Sequence, residues 1–206
     1  MEKNVPDIEY YYSVSSVFAY FGSQRLTALA KRYGARIIHK PIFHGVVVPA
    51  TGGLRFRTMS PVRVAHFFRE VERWSTFLNI PVVNGDPKNH YTDRELPSGM
   101  VIAAQRHGLE VDLLSFKICE ALWRDERDMA DAMVLAELAI SLDMDAELLL
   151  NDALLPDVQA EYEMNSKECV AKGVFGSPTY VVNNEPFWGQ DRLEFVERAL
   201  LGGSTL

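Results

Sequence analysis

Apolar and polar positions divide the 206-residue chain into two strand-rich ends and a long helical middle. Near the start, Ile8, Tyr10, Tyr11, Tyr12 and Val14 give residues 8–14 the aromatic and β-branched content of a strand. Phe18, Phe21, Leu26, Leu29 and Tyr33 then recur at helical spacing up to Gly34, and residues 36–42 alternate as a second strand does. Strand, helix and strand of this length predict a right-handed crossover between two parallel neighbours. At the far end, residues 179–182 form another β-branched and aromatic run. Asn183 and Asn184 turn the chain, and residues 185–188 return as the second arm of a hairpin. Leu193, Val196 and Leu200 predict a closing helix, with Gln190 and Asp191 as its cap.

The middle differs in period. Residues 45–57 read as a loop because Gly45, Pro49, Gly52 and Gly53 punctuate them. Ser60 and Pro61 then open a helix, a capping hydroxyl followed by proline at the first helical position. Val64, Phe67, Phe68, Val71, Trp74 and Leu78 mark its buried face. Residues 80–94 are polar and broken by Pro81 and Pro87, hence loop. Helices follow near 97–107, 111–123, 129–142, 146–154 and 156–172, the last closed by Gly173. Neither end is complete alone, since a βαβ unit has too little sheet and a lone hairpin is marginal. Joined, they make a four-stranded mixed sheet with helices on both faces. The expected fold is therefore α/β: a thioredoxin-like domain (βαβ…ββα, residues 1–45 and 173–206) interrupted by an all-helical insertion domain (46–172).

Composition narrows the partners. The net charge is −7 and no cluster of Lys and Arg offsets it, which argues against nucleic acid and anionic membrane surfaces. The first residues carry no apolar signal region, and no apolar run reaches membrane length. Cys119 and Cys169 lie far apart on helical stretches and read as buried thiols of a reducing compartment, so the cytoplasm is expected. The five histidines give no metal set: nothing joins His39 and His44 at ligand spacing.

In such a fold the reactive group sits where the first strand meets the first helix. Free N–H groups and the positive end of the helix dipole favour an anion there. A dithiol oxidoreductase would carry Cys-x-x-Cys; this chain carries Ser16, Val17, Phe18 and Ala19, which excludes dithiol exchange at that site. A serine can donate its hydroxyl to a thiolate brought by another molecule, or it can serve only as a helix cap, and the two roles are compatible. At the other end, Ser177-Pro178 opens a strand. A cis bond would turn the Ser177 N–H and C=O outward to meet an extended peptide; a trans proline on an edge strand is the simpler alternative.

Residues 8–20, 173–179 and 186–193 together resemble the 2-hydroxychromene-2-carboxylate isomerase family, within the group of kappa-class glutathione transferases and DsbA-like proteins. The resemblance spans nearly the whole chain and keeps its motifs in order. It implies a cytoplasmic, homodimeric, glutathione-dependent isomerase of aromatic hydrocarbon catabolism, interconverting 2-hydroxychromene-2-carboxylate and trans-o-hydroxybenzylidenepyruvate by reversible thiolate addition. The catalytic serine then falls on Ser16. Glutathione would meet Ser177 and Pro178 through its cysteinyl part, Trp188, Gly189, Gln190 and Asp191 through its γ-glutamyl end, and Arg63 through its glycyl carboxylate. Val17, His66 and Glu70 depart from the family's usual residues. The loops at 45–57 and 84–93 are expected to close over a small aromatic carboxylate. The same residues also fit a kappa-like transferase, or a non-catalytic thioredoxin-like binding protein.

Overall fold

The structure, a computed structural model, describes residues 7–202. Strand β1 (Asp7–Tyr12) leads into helix α1 (Val17–Tyr33), which Gly34 ends in the left-handed conformation with φ 65°. Strand β2 (Arg36–Pro41) then lies parallel to β1, with Asp7 opposite Arg36. Far along the chain, β3 (Thr179–Val182) pairs antiparallel with β1, and β4 (Glu185–Trp188) pairs antiparallel with β3. The sheet order is β2-β1-β3-β4, so the two ends complete each other as expected. Asn183 and Asn184, at φ 52° and 66°, make the hairpin turn, a conformation asparagine tolerates.

Helices fill the middle: α2 (His44–Ala50), α3 (Pro61–Leu78), α4 (Glu95–Arg106), α5 (Val111–Trp123), α6 (Ala132–Ile140), α7 (Ala146–Ala153) and α8 (Pro156–Ala171). Helix α9 (Leu193–Leu200) closes the chain. Alternation along β1 sends Tyr10 and Tyr12 to one face of the sheet and Tyr11 to the other. Tyr12, Tyr10 and Tyr180 stack in a row, with ring centroids 4.1 and 5.4 Å apart. They belong to one buried cluster that runs on through Ile118, Leu122 and Trp123 of α5 to Leu135 and Ala139 of α6. The sheet and much of the helical block therefore share a core. On the opposite face, Tyr11, Ile42, Val47, Cys169, Val174 and Val181 form a smaller cluster.

Three local expectations change. Residues 45–57 are not all loop, because α2 occupies the first of them and a 3₁₀ turn spans Phe56–Thr58. Val47 is fully buried in the smaller cluster, and that burial outweighs the helix-breaking signals. Pro49 leaves the Gly45 carbonyl without its helical donor, and Arg55 Nη2 donates to that carbonyl instead, at 3.1 Å. Ser60 flanks α3 without a side-chain capping bond. Neither Gln190 nor Asp191 caps α9, since the 3₁₀ turn Gln190–Arg192 intervenes and Asp191 pairs with Arg192 at 2.5 Å.

Candidate functional site

Ser16 is nine-tenths buried at the N-terminus of α1. Its Oγ accepts from the Ala19 N–H at 3.3 Å and donates to the Ser177 carbonyl at 3.4 Å. One turn of helix is thus capped, and the same hydroxyl faces the segment that enters β3. The Ser177–Pro178 bond is cis, as the motif suggested. Ser177 is anchored by its own side chain, whose Oγ accepts from the Ser13 N–H at 3.0 Å. The Pro178 carbonyl accepts from the Gly189 N–H at 2.9 Å, which ties the cis turn to the end of the hairpin.

Beside this junction lies a half-open cleft of about 250 Å³. Ser177, Trp188, Gly189, Gln190, Asp191 and Arg192 form one wall, and Phe18, Glu70 and Trp74 the other. The hairpin end and α3 therefore face each other across it. Trp188 is more than half exposed and braced edge-to-face by Phe175 at 4.7 Å. Gly189 has φ 110°, a conformation that only glycine takes without strain, and it lets the chain turn from β4 into the 3₁₀ turn. Gln190 is buried, with its Oε1 taken by Arg25 Nη1 at 2.6 Å, so its side chain holds the wall from behind. Of the residues expected here, Ser16, Pro178 and Arg63 do not line the cleft; Arg63 is exposed on the first turn of α3. Glu70 and Trp74, on later turns of that helix, do.

The loop between β1 and α1 is held from below by α5. Ser115, Cys119 and Trp123 recur every four residues on one stripe of that helix. Ser115 Oγ donates to Tyr12 Oη at 2.7 Å, Cys119 Sγ to the Val14 carbonyl at 3.3 Å, and Trp123 Nε1 to the Ser15 carbonyl at 2.9 Å. Burial pushes the Cys119 thiol up to about 12, so it stays protonated and can donate. Both cysteines are free and buried. Tyr12 Oη in turn meets His39 Nδ1 at 3.0 Å, and His39 Nε2 meets Asp112 Oδ1 at 2.7 Å. His39 is thereby occupied within a buried network.

On the far side of Ser15 the loops at 45–57 and 84–93 come together. Arg57 lies 3.9 Å over the Tyr91 ring, and Phe56 meets His90 edge-on at 6.4 Å. Arg94 reaches in beneath them to donate from Nε to Ser15 Oγ at 2.7 Å. Sequence reasoning did not single out Arg94, whose significance comes from a contact 79 residues away. Among the described residues no cluster of His, Cys, Asp and Glu could hold a metal ion, and no helix is long and apolar enough to cross a membrane.

A mixed sheet with a cis-proline strand start set against the N-terminus of the first helix defines the thioredoxin fold class, here with Ser16 capping that helix. The chain belongs to the DSBA-like thioredoxin domain family, which it matches over residues 7–201. It is similar to 2-hydroxychromene-2-carboxylate isomerase of Sphingobium xenophagum, 26% identical over 196 residues that cover 94% of this chain and 97% of that protein. The enzyme of the same name from Pseudomonas sp. (strain C18) is 26% identical, with 95% and 90% of the two chains covered. Among solved structures, an isomerase of that name superposes with a TM-score of 0.78 at 24% identity, covering 95% of each chain. The cytosolic disulfide reductase DsbM from Pseudomonas aeruginosa, solved with GSH, gives a TM-score of 0.66 at 18% identity, covering 95% and 97%.

Proposed function

We propose that the protein is a glutathione-dependent isomerase that interconverts 2-hydroxychromene-2-carboxylate and trans-o-hydroxybenzylidenepyruvate, or a related aromatic-degradation intermediate. The observation that carries this reading is the placement of the Ser16 hydroxyl, at a helix N-terminus and facing the residue before a cis-proline, beside a cleft that ends at Asp191. The residues fit a peptide thiol. No backbone hydrogen bond among the described residues uses the Ser177 N–H, which leaves it for the cysteinyl part of glutathione. Trp188, Gly189, Gln190 and Asp191 lie where the γ-glutamyl end would reach, with the Asp191 carboxylate on hand for its ammonium.

When bound, glutathione supplies the nucleophilic sulfur whose reversible addition to a conjugated double bond permits rotation about it. The chain's own part is to hold that sulfur anionic and in place. Ser16 can turn its hydroxyl from the weak, 3.4 Å bond with Ser177 to donate to the thiolate, and the unpaired N–H groups of the first turn of α1 add their field. Trp188 and Phe18 give the cleft apolar walls that exclude water and strengthen those interactions. The reading puts the protein in the cytoplasm, where the buried thiols Cys119 and Cys169 stay reduced. It also makes it a homodimer, as the resemblance implies.

Replacing Ser16 by Ala tests the assignment. Thiolate absorbance against pH should show bound glutathione ionising below its free thiol value of about 8.5 in the native protein and not in the variant. Turnover of 2-hydroxychromene-2-carboxylate should fall by on the order of 100-fold, as for loss of one preorganised donor. An unchanged rate would remove Ser16 from the chemistry, and turnover of a generic aryl halide alone would favour a transferase.

A further inference from the structure

We propose that Arg25 is a positioning residue of the glutathione site, which fixes and polarises the Gln190 side-chain amide so that its Nε2 donates to the α-carboxylate of the γ-glutamyl group. The inference rests on the glutathione reading for its ligand, and on the packing of α1 against the Gln190–Arg192 turn for its geometry.

Gly22 and Arg25 lie three residues apart, on one face of α1. A Cβ at Gly22 would meet Tyr180 Oη at 2.6 Å and Gln190 Cβ at 3.0 Å, so the bare glycine is what lets the helix come this close to the turn. Less than one helical turn further on, Arg25 Nη1 donates to Gln190 Oε1 at 2.6 Å and to the Gln190 carbonyl at 3.2 Å. One nitrogen therefore grips the side chain and the main chain of the same residue, at the start of the turn that carries Asp191.

That grip decides which way the amide faces. Arginine has donors and no acceptor, so the amide atom against it must be the oxygen, and the NH2 group is sent the other way. Gln190 is only 2% exposed, yet it lines the cleft. Its Nε2 makes no hydrogen bond among the described residues, and it is not one of the buried atoms left without a partner. That nitrogen is therefore the end of the side chain that opens to the cleft.

Charge points to the group it meets. Both hydrogen bonds of Arg25 go to neutral oxygens, and no ion pair among the described residues includes it. The carboxylates on the two walls of the cleft are paired, Asp191 with Arg192 and Glu70 with Arg73. Arg25 thus brings an unmatched positive charge to the back of the wall. A cation on Oε1 draws electron density through the amide and makes Nε2–H a stronger donor, and an anionic acceptor gains most from it. The α-carboxylate of the γ-glutamyl group is that acceptor, beside the ammonium that falls to Asp191.

The test compares, by calorimetry, reduced glutathione with γ-aminobutyryl-cysteinylglycine, the same peptide without its α-carboxylate and with its ammonium kept. The native protein should bind glutathione about ten-fold more tightly, as for one hydrogen bond to a charged group. In Arg25→Met, which keeps much of the stem and loses the donors, glutathione should weaken by about that ten-fold while the truncated peptide binds as before. Arg25→Lys, which restores a cationic donor to Oε1, should recover part of the preference. In turnover, Arg25→Met should raise KM for glutathione and leave kcat near the native value, since the reacting sulfur belongs to the cysteinyl part. Equal weakening of both peptides in folded Arg25→Met would reduce Arg25 to a brace of the wall and overturn the inference. Native protein that binds the two peptides alike overturns it without any variant. If Arg25→Met fails to fold, Gln190→Glu keeps a partner for Arg25 and removes the donor; the preference should vanish there, and its survival overturns the inference. Native protein that binds neither peptide sinks the glutathione reading and this inference with it, whereas a preference indifferent to Arg25 sinks this inference alone.

Discussion

At the scale of single residues, Gly176 shows how closely the cleft wall is built. A Cβ there would lie 2.4 Å from Trp188 Nε1 and 3.0 Å from Trp188 Cε2. The Trp188 ring is exposed and can swing away, so Gly176→Ala should cost under about 1 kcal/mol in stability. The displaced ring would instead open the wall of the cleft. Glutathione binding should weaken several-fold and tryptophan emission should shift, with denaturant midpoints nearly unchanged; full affinity would show that Trp188 does not shape the site. Much at this scale was legible in the sequence. The motifs put Ser16 at the start of α1 and Ser177, Trp188 and Asp191 at one cleft, and the structure places them there. Arg94 was not legible, because it is an ordinary loop-flanking residue until the fold brings it to Ser15. Long-range contacts between irregular segments carry no periodic signal.

At the scale of elements, α5 acts as a rail under the loop between β1 and α1. Its residues 115, 119 and 123 bond Tyr12 at the end of β1 and then Val14 and Ser15 of that loop, so one helix holds the approach to α1. Trp123 is fully buried, and replacing it by Phe would keep most of the ring while removing the donor to the Ser15 carbonyl. A buried carbonyl without a partner costs about 1–3 kcal/mol. Trp123→Phe should therefore lower the midpoint of urea unfolding, and by loosening Ser15 and Ser16 it should lower turnover more than it raises KM. A variant as stable as the native protein would mean that the carbonyl finds another donor. The helices were legible because 3.6-residue periods are strong over a dozen residues or more. The short α2 was not, since its local glycines and proline point to a loop and only the burial of Val47 against β1, β3 and α8 decides otherwise.

At the scale of the molecule, the N-terminal strands are joined to α8 by charge as well as by packing. Lys172, just past α8, contacts Glu9 of β1 at 2.5 Å and Glu168 of α8 at 3.0 Å, and Lys40 of β2 contacts Glu168 at 2.6 Å. Four charges from three elements thus lie over the Tyr11 face of the sheet, with both lysines near that ring. Their pairing could not be read from the sequence, because it spans 163 and 128 residues. Burial alone would raise the Glu168 carboxyl, but the hydrogen bonds from Lys40 and Lys172 prevail and hold it at about 2, below its ordinary 4.5. A carboxylate with a depressed folded-state value stabilises fully above the unfolded value, and that contribution is lost as pH falls through the folded one. The window here runs from about 4.5 down to about 2. Glu168→Gln should therefore be less stable than the native protein at pH 7, with the gap shrinking steadily across that window. Unfolding free energies measured at stepped pH would show the two curves converging in acid. A gap that stays constant would mean that Glu168 contributes through packing, and that the charges over Tyr11 do not help hold α8 to the sheet.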